Sequence, residues 1–191
     1  MYNRQMWYNP LPSMSLHPSR GSEDFKNFKP GHTGVPIGPD HPGSFGYKRT
    51  HHTHEGLDLY CPDGTPVHAV EDGMVVGLIP FTGSHANPPS PWWNDTWALL
   101  VEGDSGVVVY GEIQAALDFW PNDFIKGGEP IGHVKQVLKT DKGRPMSMLH
   151  LELHGHGTKE IFDWIDERPP SLLDPTEHLL LPLSYVGRSV S

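Results

Sequence analysis

Glycine and proline interrupt this chain too often for it to build long helices. Of its 191 residues, 21 are glycine and 20 are proline, together more than a fifth. Proline removes a backbone donor and fixes φ, while glycine opens turn conformations. Such a chain is expected to fold into short strands joined by many turns. No alternation of strands with long helical patterns is visible, which disfavours a parallel α/β sheet. The expected class is all-β, a mainly antiparallel sheet or sandwich with few short helices. The length suits one domain with a substantial core.

The globular pattern starts near Ser44. Residues 1–43, rich in proline, serine and asparagine, read as an extended N-terminal arm and loop, with Met6, Trp7 and Tyr8 available to pack on the domain. The domain is expected over residues 44–181, with 182–191 as a tail. Leu57 to Tyr60 reads as a strand, and Pro62-Asp63-Gly64 as a tight turn. Val67 and Ala69, then Met74 to Ile79, read as two strands joined in a hairpin at Glu71-Asp72-Gly73. Trp97 to Glu102 and Gly106 to Ile113 form a second pair. Pro130 to Val137 and Met148 to His154 supply two more strands, and Ile161 to Ile165 a short helix. The stretch Phe81 to Thr96 carries Trp92 and Trp93 on a proline-stiffened loop, as the wall of a peptide groove or the cover of a core edge.

Composition excludes several classes. The formal charge is -9 with no block of basic residues, so nucleic acid is not an expected partner. One cysteine, Cys61, rules out an internal disulfide and reads as a small buried residue. No apolar stretch is long enough to span a membrane. Residues 1–20 hold no continuous apolar run, so no secretory signal is expected in them.

The residues that carry chemistry are His54 and Asp58, four apart, and the distant His150 inside an apolar run. Two histidines and an aspartate form a three-ligand zinc set that leaves a fourth position for water, the arrangement of a catalytic site. Gly56, between the first two, lets the backbone bend so that both side chains face one ion. Along an extended strand Met148, His150, Glu152 and His154 share a face. His154 would then lie ~13 Å from His150, too far to act with it. His154 and His156 are expected to flank a loop. His51 and His52 read as solvated loop residues or proton donors, and His133 as structural.

Several segments agree in order with a known family. They are Phe45-Gly46-Tyr47-Lys48, His54-Glu55-Gly56-Leu57-Asp58, Pro62 to Val67, Ala69 to Val75, Val107 to Ile113, Gly127 to Gly132 and Met148 to Glu152. In this order the chain resembles the lysostaphin-like (LytM-type) zinc metalloendopeptidases, which cut peptides of the bacterial cell wall. The resemblance implies an open groove across one sheet with Zn2+ on its floor, held by His54, Asp58 and His150. It implies peptidoglycan or a similar peptide as substrate. Two positions depart from the family. Its His-x-His reads Met148-Leu149-His150 here, and its Tyr-x-His-Leu reads Tyr110-Gly111-Glu112-Ile113.

Both usual catalytic histidines are therefore replaced. Met148 is expected to pack or to line a substrate pocket. Glu112 is the candidate base for a zinc-activated water, or else a fourth ligand or a partner of a ligand histidine. Tyr110, expected on the same face, is the candidate donor to the oxyanion. The preferred reading is a peptidoglycan endopeptidase. The alternatives are a catalytically silent zinc-containing module that binds wall peptide or a protein partner, and a structural component of a larger particle.

Overall fold

A computed structural model of the chain describes residues 6–21, 30–115, 119–140 and 146–185. Its strands are β1 (Ser15–Ser19), β2 (His32–Pro36), β3 (Leu57–Tyr60), β4 (Pro66–His68), β5 (Gly73–Thr82) and β6 (Thr96–Gly103). They continue with β7 (Gly106–Ala115), β8 (Phe124–Ile125), β9 (Pro130–Val134), β10 (Met148–His154) and β11 (Leu172–Leu173); a helix, α1 (Thr176–Tyr185), follows. Among the described residues, β3 to β11 form one sheet of nine strands, antiparallel at every pairing, and β1 and β2 form a parallel pair beside it. The all-β antiparallel expectation holds.

Side-chain alternation divides the sheet into two faces. Leu57 and Leu59 of β3, Leu99 and Val101 of β6, Val108 and Tyr110 of β7, and Leu149, Leu151 and Leu153 of β10 enter the main core. The intervening Ala98, Leu100, Val107 and Val109 form a smaller core on the other face, joined by Ile79, Phe81 and Ile161. Asp58, His150, Glu152 and His154 alternate with the main-core leucines, so they lie on that second face. Nearly complete burial keeps these polar groups away from bulk water.

The described part of the expected arm is built into the core. Trp7, Leu11 and Met14 are buried with Val35 and with Leu179 of α1. The Trp7 indole donates to the Ser105 hydroxyl at 3.2 Å. Residues 1–5 and 22–29 of the arm lie outside the described residues. The expected tail begins inside α1, and residues 186–191 are likewise outside them.

Three expectations change. The hairpin at Glu71-Asp72-Gly73 does not form: β4 pairs with β9, while β5 pairs with β6 and β8. Glu71 accepts bonds from the Ser105 amide and hydroxyl instead. Ile161 to Ile165 is not helical, because Thr53 N donates to the Trp164 carbonyl and Trp164 N donates to Glu55 Oε1, both at 2.7 Å. The third concerns β7. Tyr110 pairs with Leu99 but Ile113 with Trp97, so three steps on β7 match two on β6. The extra residue is a bulge, and Glu112 takes φ +60° within it. The bulge turns Tyr110 and Ile113 both into the main core and leaves Glu112 on the other face.

Gly56 is required by close approach rather than by a turn. A Cβ there would stand 2.5 Å from the Leu151 carbonyl oxygen of β10. Gly56→Ala is expected to cost about 1–3 kcal/mol by overpacking, and to push β3 away from β10. Thermal or urea unfolding of the variant checks this, and an unchanged midpoint would show that the strands can separate freely.

Candidate metal centre

The register of two neighbouring strands builds the site. Asp58 of β3 and His150 of β10 are directly paired, and His150 is paired on its other side with Gly111 of β7. His54 arrives from the loop before β3, where its amide donates to the Tyr47 carbonyl and its own carbonyl accepts from Gly46 N. All three expected ligands thus meet. His54 Nε2 lies 3.0 Å from Asp58 Oδ1 and 3.3 Å from His150 Nδ1, and His150 Nδ1 lies 2.9 Å from Asp58 Oδ1.

The outer contacts decide what those atoms offer. His54 Nδ1 is 2.8 Å from the Ser44 carbonyl, which only accepts, so this nitrogen carries the proton. His150 Nε2 is 2.8 Å from Glu152 Oε1, which likewise accepts. Asp58 Oδ2 is taken by Arg49 Nη2. With both rings neutral, two nitrogen lone pairs and one carboxylate oxygen point at one another. That convergence is repulsive unless a positive charge sits among them. A proton can supply it: burial opposes the charge on His150, but bonds to Asp58 and Glu152 win and raise its pKa well above the usual value. A divalent cation supplies it better, because the three separations approach the roughly 3.3 Å edge of a tetrahedron with zinc-ligand bonds of about 2.0–2.1 Å. The donor set therefore fits zinc.

Among the described residues around the cluster, the buried carboxylates are partnered but for one. Burial disfavours the Asp58 carboxylate, yet His54, Arg49 and His150 hold its pKa well below the usual range. Glu152 is opposed by burial too, but bonds from His150 and His154 bring it down to about 2. Its second oxygen meets His154 Nε2 at 2.7 Å, and His154 Nδ1 meets Ser171 Oγ at 3.2 Å. This corrects the expectation for His154, which is buried in β10 rather than beside a loop. His156 is in a loop, 3.3 Å from Glu102. The unpartnered group is Glu112, whose buried Oε2 has no hydrogen bond. Burial and the nearby Asp58 push its carboxyl up to about 8, against the pull of His150 and Arg49.

An open groove crosses this cluster. One half is lined by His52, Glu55, His150, Glu152 and Phe162, and the other by Tyr47, Lys48, Asp58, Tyr60 and Met148; Arg49, Trp93 and Glu112 line both. Trp93 is thus groove wall, while Trp92 is exposed. Phe81 packs against the His150 ring, with centroids 5.5 Å apart and the planes tilted by 35°. Gly111 makes room for it, since a Cβ there would be 2.7 Å from Phe81 Cε1.

Tyr110 is a correction. It is fully buried in the main core, and its hydroxyl accepts from Val70 N at 2.8 Å. The bulge that presents Glu112 to the groove turns Tyr110 away, so it cannot donate to a substrate oxyanion. His51 and His133 are exposed and outside the groove lining. Cys61 is buried in the core, where burial pushes its thiol up to about 12, and it takes no part in the cluster. Sequence reasoning missed Arg49, Phe81 and the pairing of Glu152 with His150. Only the last had a signal, the i, i+2 spacing on a strand.

A sequence profile of Peptidase family M23 matches residues 52–161, which hold all three cluster residues. The chain belongs to peptidase family M23. No curated protein sequence matches it. Among solved structures it is similar to Csd3 of Helicobacter pylori, at 20% identity over 76% of this chain and 37% of that one, with a TM-score of 0.41. A zinc-containing peptidase from Vibrio cholerae is 25% identical over 52% of this chain and 26% of that one, with a TM-score of 0.35. The catalytic domain of lysostaphin from Staphylococcus simulans is 18% identical over 72% of this chain and 88% of that one, with a TM-score of 0.46. The M23 chain thus spans 37% and 26% of the first two proteins. Among its described residues no helix is long and apolar enough to cross a membrane.

Glu152 orients His150 through the nitrogen turned away from the cluster, so if the cluster holds zinc, Glu152→Gln is expected to weaken its binding roughly 10–100-fold while the fold is kept. Competition against a chelator measures it. An unchanged dissociation constant would remove Glu152 from the account of the site.

Proposed function

We propose that this M23 chain is a zinc-dependent peptidoglycan endopeptidase, with Zn2+ held by His54, Asp58 and His150. The observation that carries the reading is the inward convergence of three ligand atoms whose outer partners are already fixed. Asp58 and His150 both border the groove, so a substrate reaches the cluster from that side. When bound, zinc supplies Lewis acidity and lowers the pKa of water.

The chain's own residues supply the rest. Glu112 lines both halves of the groove and has a free carboxylate oxygen. It is the base that takes a proton from the attacking water and returns it to the leaving amine. A cation in the neighbouring cluster favours the ionised form that this role needs. Trp93 and Met148 border the channel in which an extended peptide lies. The peptidoglycan substrate follows from family membership.

Met148 favours a second reading. It is 7% exposed and stands where the family carries a histidine, so one proton-handling group is absent. A silent module would hold zinc and wall peptide without turnover. Release of new amino groups from purified peptidoglycan separates the two. We expect turnover by the zinc-loaded chain, and a loss of roughly 100- to 10,000-fold in Glu112→Gln with zinc content unchanged. No release by the zinc-loaded chain on several wall chemotypes would leave the silent module.

A further inference from the structure

Arg49 enters the site by way of a turn. Its amide donates to the His52 carbonyl at 2.9 Å, and Lys48 bridges Thr53 across the same turn. The side chain folds back over the cluster, where Nη2 meets Asp58 Oδ2 at 2.5 Å and the Pro42 carbonyl at 3.4 Å. A guanidinium carries five N–H donors on a rigid fork. Among the described residues no hydrogen bond engages Arg49 Nε or Nη1. The side chain is 33% exposed and lines both halves of the groove. A fixed positive charge with spare donors therefore stands beside the cluster and faces the substrate channel.

Peptide hydrolysis needs such a group. As the water oxygen bonds to the carbonyl carbon, the π pair moves onto the carbonyl oxygen, which becomes negative. Donors preset toward that oxygen lower the barrier. The two positions where the family carries histidine hold Met148, which donates nothing, and Glu112, a carboxyl group. Asp58 and Glu152 are carboxylates already committed to other partners. Tyr110 is turned into the core. Lys48 and His52 each border one half of the groove only.

We propose that Arg49 is the catalytic electrophile of this site, donating from its unspent N–H groups to the oxygen that becomes negative. The proposal rests on the peptidase reading. The oxyanion then re-forms the carbonyl, the C–N bond breaks, and the amine leaves with the proton that Glu112 took from water. One water is consumed, and one carboxyl and one amino group are made.

A merely structural Arg49 would act through Asp58 and change zinc affinity. Three readouts on the full chain therefore decide: zinc dissociation constant, kcat and KM on wall peptide at saturating zinc, and thermal midpoint. For Arg49→Ala we expect kcat to fall roughly 100- to 1,000-fold, as for loss of one oxyanion donor, with KM little changed. Zinc affinity should fall less than about 10-fold, below the range typical of a lost ligand partner. Added guanidinium at concentrations below denaturation should restore part of kcat in Arg49→Ala and none in wild type. Arg49→Lys, which keeps charge but loses the fork, should lie between the two and covers the case in which the alanine variant does not fold. Wild-type kcat at saturating zinc in both variants overturns the proposal and leaves the peptidase reading intact. An inactive wild-type chain overturns that reading, and the proposal with it.

Discussion

The pairing of β3 with β10 sets everything else in this molecule. It places Asp58 against His150 across a single pair of strands, with leucines above and below turned into the main core. A slip of one residue would exchange those leucines for Asp58, His150 and Glu152. The hydrophobic core therefore enforces the register, and the register enforces the cluster. Gly56 belongs to the same constraint, since it lets the loop that carries His54 pass against the β10 backbone.

Electrostatics then determine what the cluster accepts. Burying two imidazoles and a carboxylate together is costly unless each is bonded and the total charge is balanced. Ser44, Glu152 and Arg49 satisfy the outer atoms and leave the inner ones facing one another. Glu152 passes its remaining oxygen to His154, so the support continues along one face of β10. In the middle a positive charge balances the set, as a proton on His150 or, with better geometry, as a divalent cation. That is why a donor set built this way reads as a metal site rather than as a buried hydrogen-bond network. Glu112 stands outside this balance, with a buried oxygen that no hydrogen bond engages among the described residues.

How much of this was legible depends on the range of the interaction. Alternation over Met148 to His154 is local, and it correctly put His150 and Glu152 on one face. The meeting of His54, Asp58 and His150 was legible because family segments agree in order. The partnership of β4 with β9 was not, because it joins Pro66–His68 to residues more than sixty positions later. Glycine after two acidic residues gave a hairpin signal that this distant pairing overrode. The bulge in β7 was also invisible: nothing local to Gly111-Glu112 announces an extra residue, and one extra residue reverses which side chain faces the groove. Glu112 faces the groove as expected, while Tyr110, expected on the same face, is turned into the core on that account. Arg49 was hidden for the same reason, since its approach to Asp58 depends on the turn it begins.

The proposed centre holds zinc through three protein ligands and keeps one position open. Zinc stoichiometry and affinity across four variants decide whether it does. We expect one tightly bound zinc per chain in the wild type and in Glu112→Gln, and its loss in His54→Ala, Asp58→Ala and His150→Ala. Loss of zinc in Glu112→Gln would mean that the glutamate closes the site as a fourth ligand, and failure of the wild type to bind zinc would contradict the account altogether.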